Sequence, residues 1–153
     1  MMNITPWGEN NEEAVRAFEQ QIGFPLPEDY RQFLIKHNGA RVNKQTFFVK
    51  DLDQDVVLHV LYGLTNEQSR GLTLSYWLAE HDEEMGEKEL VIGHDPGGHQ
   101  LLLITEGEDK GVYYWDHDHF FAKSREGEGD TYFLADTFTR FCGLLRDQKP
   151  ATV

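Results

Sequence analysis

The sequence predicts an α+β fold, in which a single domain spanning residues 1–153 carries a mainly antiparallel sheet with an N-terminal helix pair and a C-terminal helix packed on it. Three observations lead there. Apolar residues recur at helical spacing near both ends, short β-branched and aromatic runs punctuated by turn residues fill the middle, and the composition is that of a globular domain. With 39% hydrophobic and 27% charged side chains, the chain lies well away from the composition of disordered segments. A chain of this length buries about two-thirds of its unfolded surface, so the core needs neither a disulfide nor a structural metal.

From Asn11 to Ile22, the residues Ala14, Val15, Phe18 and Ile22 share a helical face, and Glu12 and Glu13 complement the dipole at its start. Gly23 ends this helix. Pro27 suits the first position of a second one, where its missing N–H costs nothing. Tyr30, Phe33, Leu34 and His37 mark the apolar face of that helix, and Gly39 after Asn38 is the expected left-handed stop. The runs Thr46–Val49 and Val56–Tyr62 read as strands. Beyond Gly63, a helix capped by Asn66 is expected to bring Leu74, Trp77 and Leu78 to one face, with Gly71 weakening it. The charged stretch His81–Glu89 reads as a loop leading into a strand at Leu90–Ile92, followed by a glycine and proline turn. Gln100–Thr105 and Gly111–Asp116 predict an antiparallel hairpin, residues 123–130 a polar loop, and Asp136 the cap of a last helix bearing Phe138, Phe141, Cys142 and Leu145.

The formal charge is -13, and its distribution is uneven: residues 1–50 hold six basic and six acidic side chains, the remainder eight and twenty-one. Such a surface repels phosphate backbones and anionic membranes, so neither nucleic acid nor membrane is an expected partner. A basic protein would be steered toward it. A lone cysteine, Cys142, fits a reducing compartment, and the N-terminal residues lack the pattern of a secretory signal, so the expected location is the cytoplasm.

Several patterns invite a chemical reading. Asp51, Asp53 and Asp55 alternate as a calcium loop begins, but Val56 stands where that loop needs glycine and Tyr62 where it needs glutamate. His94, His99, His117 and His119 form a weak candidate metal cluster, with no His-Glu-x-x-His helix to support it. The glycines of residues 93–98 lack the Lys-Ser/Thr of a phosphate loop, and Pro96 removes a donor that an anion would need. Cys142 lies on an apolar helical stripe, as a core residue does, and no serine stands in a Gly-x-Ser-x-Gly elbow. No catalytic residue, cofactor or metal is therefore expected, and a binding module is favoured over an enzyme.

The run from Phe18 to Gly39, FEQQIGFPLPEDYRQFLIKHNG, resembles the N-terminal signature of the SUKH superfamily, which includes yeast regulators of cell-wall assembly and many bacterial immunity proteins. VIGHDPGG at residues 91–98, VYYWDH at 112–117 and ADTFTRF at 135–141 are similar to its glycine turn, its Trp-Asp-His strand and its closing helix. Order and spacing agree over about residues 12–146, whereas Val42 to Lys88 matches only loosely. The resemblance implies the α+β fold and, for bacterial members, an immunity protein that binds and blocks a cognate toxin, often a nuclease. It also implies structural roles for Pro27, Tyr30, Phe33, Leu34, Asn38, Gly39, Gly93, Asp95, Gly97, Gly98, Trp115, Asp116 and His117. The partner-binding residues expected from charge are Asp51, Asp53 and Asp55 with Glu80, Asp82, Glu83, Glu84, Glu87 and Glu89. Two other readings stand beside this one: a regulatory scaffold for endogenous partners, as the eukaryotic relatives suggest, and a small metal-dependent hydrolase built on the four histidines.

Overall fold

A computed structural model describes residues 2–67, 69–81, 88–116 and 131–147. Within them lie strand β1 (Ile4–Pro6), helices α1 (Glu12–Ile22) and α2 (Glu28–His37), strands β2 (Ala40–Val49) and β3 (Gln54–Leu61), and helix α3 (Leu74–Glu80). Strands β4 (Glu89–His94), β5 (Gln100–Ile104), β6 (Gly111–Trp115) and β7 (Thr131–Ala135), helix α4 (Phe138–Leu144) and strand β8 (Arg146–Asp147) follow. The strands form one antiparallel sheet in which β1 to β7 lie in sequence order, and β8 pairs with β2. The α+β class expected from the sequence is the class observed.

The sheet curls. Phe47 of β2 and Tyr114 of β6 lie four strands apart in the order, a separation of roughly 19 Å in a flat sheet at about 4.8 Å per strand. Their rings nevertheless meet at 5.7 Å, and Phe141 of α4 packs against Phe47 at 5.5 Å. The concave face thus wraps around α4. Phe138 of α4 lies 5.0 Å from both Tyr30 and Phe33 of α2, and Val15 and Phe18 of α1 complete this side of the core. Asp29 ties the two helices by accepting from the backbone N–H of Thr139 at 2.9 Å and from its hydroxyl at 2.8 Å.

Successive strand residues face opposite sides, so Trp115, next to Tyr114, looks away from α4. That second face is covered by α3, in a row of rings: Tyr62 stacks on Trp77 at 5.8 Å, Trp77 on His81 at 5.6 Å, and His81 meets Trp115 at 4.9 Å. Trp77 Nε1 donates to the Gly71 carbonyl at 2.6 Å, which fixes the approach to the helix.

The observed boundaries differ from the expected ones for local reasons. The helix expected from Asn66 begins at Leu74, because the Asn66 side chain accepts from Ser69 N and a 3-10 turn at Arg70–Leu72 intervenes, leaving Thr73 as the cap. Thr137, not Asp136, caps α4: its hydroxyl accepts from Arg140 N at 3.0 Å, while the Asp136 carboxylate pairs with the Arg140 side chain. Pro27 sits one position earlier than expected, as the N-cap of α2, with its carbonyl accepting from Arg31 N. Strand β2 starts six residues before Thr46, because its polar first half is held by β1 and β8 around an irregularity at Lys44, whose φ is 54°. The expected loop at residues 123–130 lies outside the described residues.

Candidate partner-binding surface

Two glycines let the chain cross itself tightly beside α2. A Cβ on Gly39 would lie 2.5 Å from Gly63 N and 2.6 Å from the Leu61 carbonyl, and one on Gly63 would collide with the Asn38 carbonyl. Asn38, in the left-handed region at φ 51°, closes the crossing. Its Oδ1 accepts from Asn10 Nδ2 at 2.7 Å, Leu64 N at 2.8 Å and Thr65 N at 3.3 Å, and its Nδ2 donates to Thr65 at both the carbonyl and the hydroxyl. One buried amide therefore fastens the N-terminal segment, α2 and the segment that follows β3.

The turn between β4 and β5 is built in the same way. A Cβ on Gly93 would lie 2.5 Å from the Val60 carbonyl, so only glycine permits β3 and β4 to approach there. Asp95, 7% exposed, accepts from Gly97 N and His99 N at 2.9 Å each and from the Tyr114 hydroxyl at 2.9 Å, while Gly98 turns the chain at φ 91°. Trp115 and Asp116 are both buried, and His99 Nδ1 lies 3.5 Å from Asp116 Oδ1. Tyr30, Phe33 and Leu34 set the α2 side of the core, and Pro27 caps the helix that carries them. The Tyr30 hydroxyl is buried without a hydrogen-bond partner among the described residues, and burial raises its pKa well above the usual tyrosine value. His117 lies outside the described residues.

The histidines are engaged separately. His94 Nδ1 lies 2.6 Å from the Tyr62 hydroxyl, which also accepts from Gln100 Nε2 at 3.3 Å. Burial, then the neighbouring His59, lowers the His94 pKa to about 4, against a smaller opposite pull from Asp95. His94 faces Tyr62 and His99 faces Asp116. Among the described residues no three His, Cys, Asp or Glu side chains gather as metal ligands, and His119, like His117, lies outside them. Cys142 is a free thiol whose pKa burial pushes up to about 12, with Asp29 adding to the effect.

The acidic residues expected to meet a partner are dispersed by the fold. Asp51 lies in the 3-10 turn Lys50–Leu52, Asp53 follows it at φ 51°, and Asp55 lies on β3 opposite Phe48. Glu80 ends α3 and Glu89 opens β4, whereas Asp82, Glu83, Glu84 and Glu87 lie outside the described residues. Strand β3 meets β4 only where Val60 and Leu61 face His94 and Gly93. The antiparallel register thus puts the tip of the β2–β3 hairpin and Glu89 at opposite ends of the sheet, a path of roughly 40 Å at about 3.3 Å per residue.

The structure adds a residue that the charge pattern did not point to. In β2 and β3 the inner positions Gln45, Phe47, Val49, Val56 and Leu58 are buried, while Thr46, Phe48, Asp55 and Val57 face outward. Phe48 is 50% exposed and has no ring partner among the described residues. The signal was present: two adjacent phenylalanines in a strand with one buried face cannot both be core. Phe133, also 50% exposed, differs because Tyr113 covers it edge-on at 5.5 Å.

Comparison with known proteins adds to this geometry. The chain is similar to the SPbeta prophage-derived uncharacterized protein YokK of Bacillus subtilis (strain 168), at 24% identity over 157 aligned positions that cover 91% of this chain and 76% of that protein. Among the described residues, no helix is long and apolar enough to cross a membrane. The family model for the SMI1 / KNR4 family (SUKH-1) matches residues 9–143, and those residues include the Asn38 crossing, the Asp95 turn and the Trp115 strand: the chain belongs to the SMI1 / KNR4 family (SUKH-1).

Proposed function

We propose that this protein is an immunity protein, which binds a cognate toxin stoichiometrically and carries out no chemistry on it. The observation that carries this reading is the inward use of the family's motif residues. Asn38 and Asp95 spend their polar atoms on internal hydrogen bonds, and Trp115 is buried against His81. What the motif builds is a scaffold, and what remains for function is the exposed surface of a chain whose net charge is -13. A strongly acidic scaffold suits a basic target. Nuclease toxins present such a target, since their substrate groove must attract phosphate, and an acidic inhibitor can occupy that groove in the substrate's place. Membership of the family supports the same reading, because the resemblance implies an immunity role for its bacterial members.

The test is to read the gene immediately upstream and, where it encodes a large secreted protein, to co-express the full chain with that protein's C-terminal domain. Growth restored by this chain, and a one-to-one complex on purification, are expected. Unrelieved toxicity, or no toxin-like gene at that position, would reject the immunity reading in favour of a regulatory scaffold for endogenous partners.

A further inference from the structure

We propose that the outward face of the β2–β3 hairpin is the surface that holds the toxin, with Phe48 as its apolar anchor and a basic protein domain as its occupant. This rests on the immunity reading and specifies its contact. The hairpin is a ribbon with one face committed to the core and one face that no other described element covers. Its inner residues Phe47, Val49, Val56 and Leu58 are in the core, with Phe47 locked between Phe141 and Tyr114. Phe48 and Val57 lie on the other face, and Phe48 is half exposed. Isolated exposed apolar residues are ordinary, but large aromatic side chains are also the residues that carry binding energy at the centre of interfaces.

Charge selects the occupant. Asp55 stands directly across from Phe48, and Asp51 and Asp53 follow in the same tip, against one cation, Lys50. None of these three carboxylates has an ion-pair partner among the described residues, whereas Glu12, Glu19 and Glu28 share Arg31. An apolar anchor with one carboxylate directly across from it and two more at the neighbouring tip fits a pocket rimmed by Lys and Arg: the carboxylates steer the encounter and the ring supplies the residence time. Phe133, equally exposed, differs in that its ring packs edge-on against Tyr113, and no carboxylate stands across from it on β6.

The experiment uses the full chain and the purified toxin domain encoded upstream of its gene, with binding kinetics measured at low and at raised salt. Phe48→Thr, which keeps strand propensity, is expected to weaken binding at least about tenfold through faster dissociation. The triple change D51N/D53N/D55N is expected to slow association about tenfold at low salt, with the difference vanishing as salt rises. Phe133→Ala is expected to stay within about twofold of wild type. Circular dichroism and thermal unfolding establish that each variant is folded. Wild-type kinetics for both hairpin variants, with wild type itself binding, would overturn this surface while leaving the immunity reading intact. Failure of the unaltered chain to bind would overturn both.

Discussion

Tyr62 and His94 share a 2.6 Å hydrogen bond on the face of the sheet that α3 covers. The Tyr62 hydroxyl also accepts from Gln100 at 3.3 Å, and a neutral His94 with Nδ1 unprotonated takes the hydroxyl's own hydrogen. Burial, then the neighbouring His59, favours that neutral ring by lowering the His94 pKa to about 4.

That pKa has a consequence for stability. Above pH 6.5 the ring is neutral in both folded and unfolded chains, so the contact contributes fully. As pH falls from 6.5 toward 4, the unfolded chain takes up a proton that the folded chain refuses, and stability is lost. The loss expected from this group is about 1 kcal/mol by pH 5, once solvent screening of a partly exposed ring is allowed for. His94→Asn keeps an acceptor near the Nδ1 position and cannot titrate. Urea unfolding at pH 7 and pH 5 should show a smaller drop for His94→Asn than for wild type, and equal drops would contradict the assignment.

Neighbouring phenylalanines on β2 should behave as opposites. Phe47 is 1% exposed between Phe141 and Tyr114, so Phe47→Ala is expected to cost about 3–5 kcal/mol. Phe48→Ala should change stability by no more than about 0.5 kcal/mol, because half of the side chain is already in water. Denaturant midpoints of the two variants provide the check, and comparable losses would mean that the strand register is wrong.

Asn38 serves through its backbone and its side chain together. Asn38→Ala places an L-residue with no polar side chain at φ 51° and leaves the Leu64 and Thr65 amides without their acceptor, for an expected loss of about 3–4 kcal/mol. Asn38→Gly loses the same hydrogen bonds but suits the backbone, and should retain about 1 kcal/mol of that. The order of the two melting temperatures decides: Ala at or above Gly would remove the backbone argument.

Tyr30 makes the reverse prediction. Its hydroxyl is buried without a hydrogen-bond partner among the described residues, in an aromatic cluster with Phe33 and Phe138. Tyr30→Phe removes a desolvated polar atom and keeps the ring, so it should be neutral or stabilising by up to about 1 kcal/mol. A loss beyond about 1 kcal/mol in chemical unfolding would reveal a partner for that oxygen.

The helices at both ends were legible from apolar spacing, which puts Val15 and Phe18 on the buried face of α1 and Phe138 and Phe141 on that of α4, while the cap of α4 was read one residue early because Asp136 pairs with the Arg140 side chain. The hairpin of β5 and β6 was legible from its turn. Strands β1, β7 and β8 were not, since each is defined by a neighbour and not by its own pattern: Ile4–Pro6 and Arg146–Asp147 become strands only because the polar half of β2 needs partners on its outer edge. The helix after β3 was displaced for a related reason, as the pairing of Gly63 with Thr73 holds the intervening chain off the helical path until Thr73 can cap. For the candidate surface, the sequence identified the charges of Asp51, Asp53 and Asp55 and not the anchor. It could not show that Glu89 faces the far end of the sheet, because that depends on the two-residue contact of β3 with β4.

The pairing of strands in sequence order has a kinetic consequence. Three of the pairings, β2 with β3, β4 with β5 and β5 with β6, close through connections of four to six residues, so these parts of the sheet can assemble by short loop closures. The contacts that join the two ends of the chain are of another kind: β8 against β2, and the Asp29 carboxylate on Thr139, 110 residues away. Such distant contacts pay the largest loop-closure entropy and form last. Weakening the Asp29 contact should therefore hasten unfolding far more than it slows refolding, so that this clasp governs how long the folded protein lasts and leaves the speed of its formation to the meander.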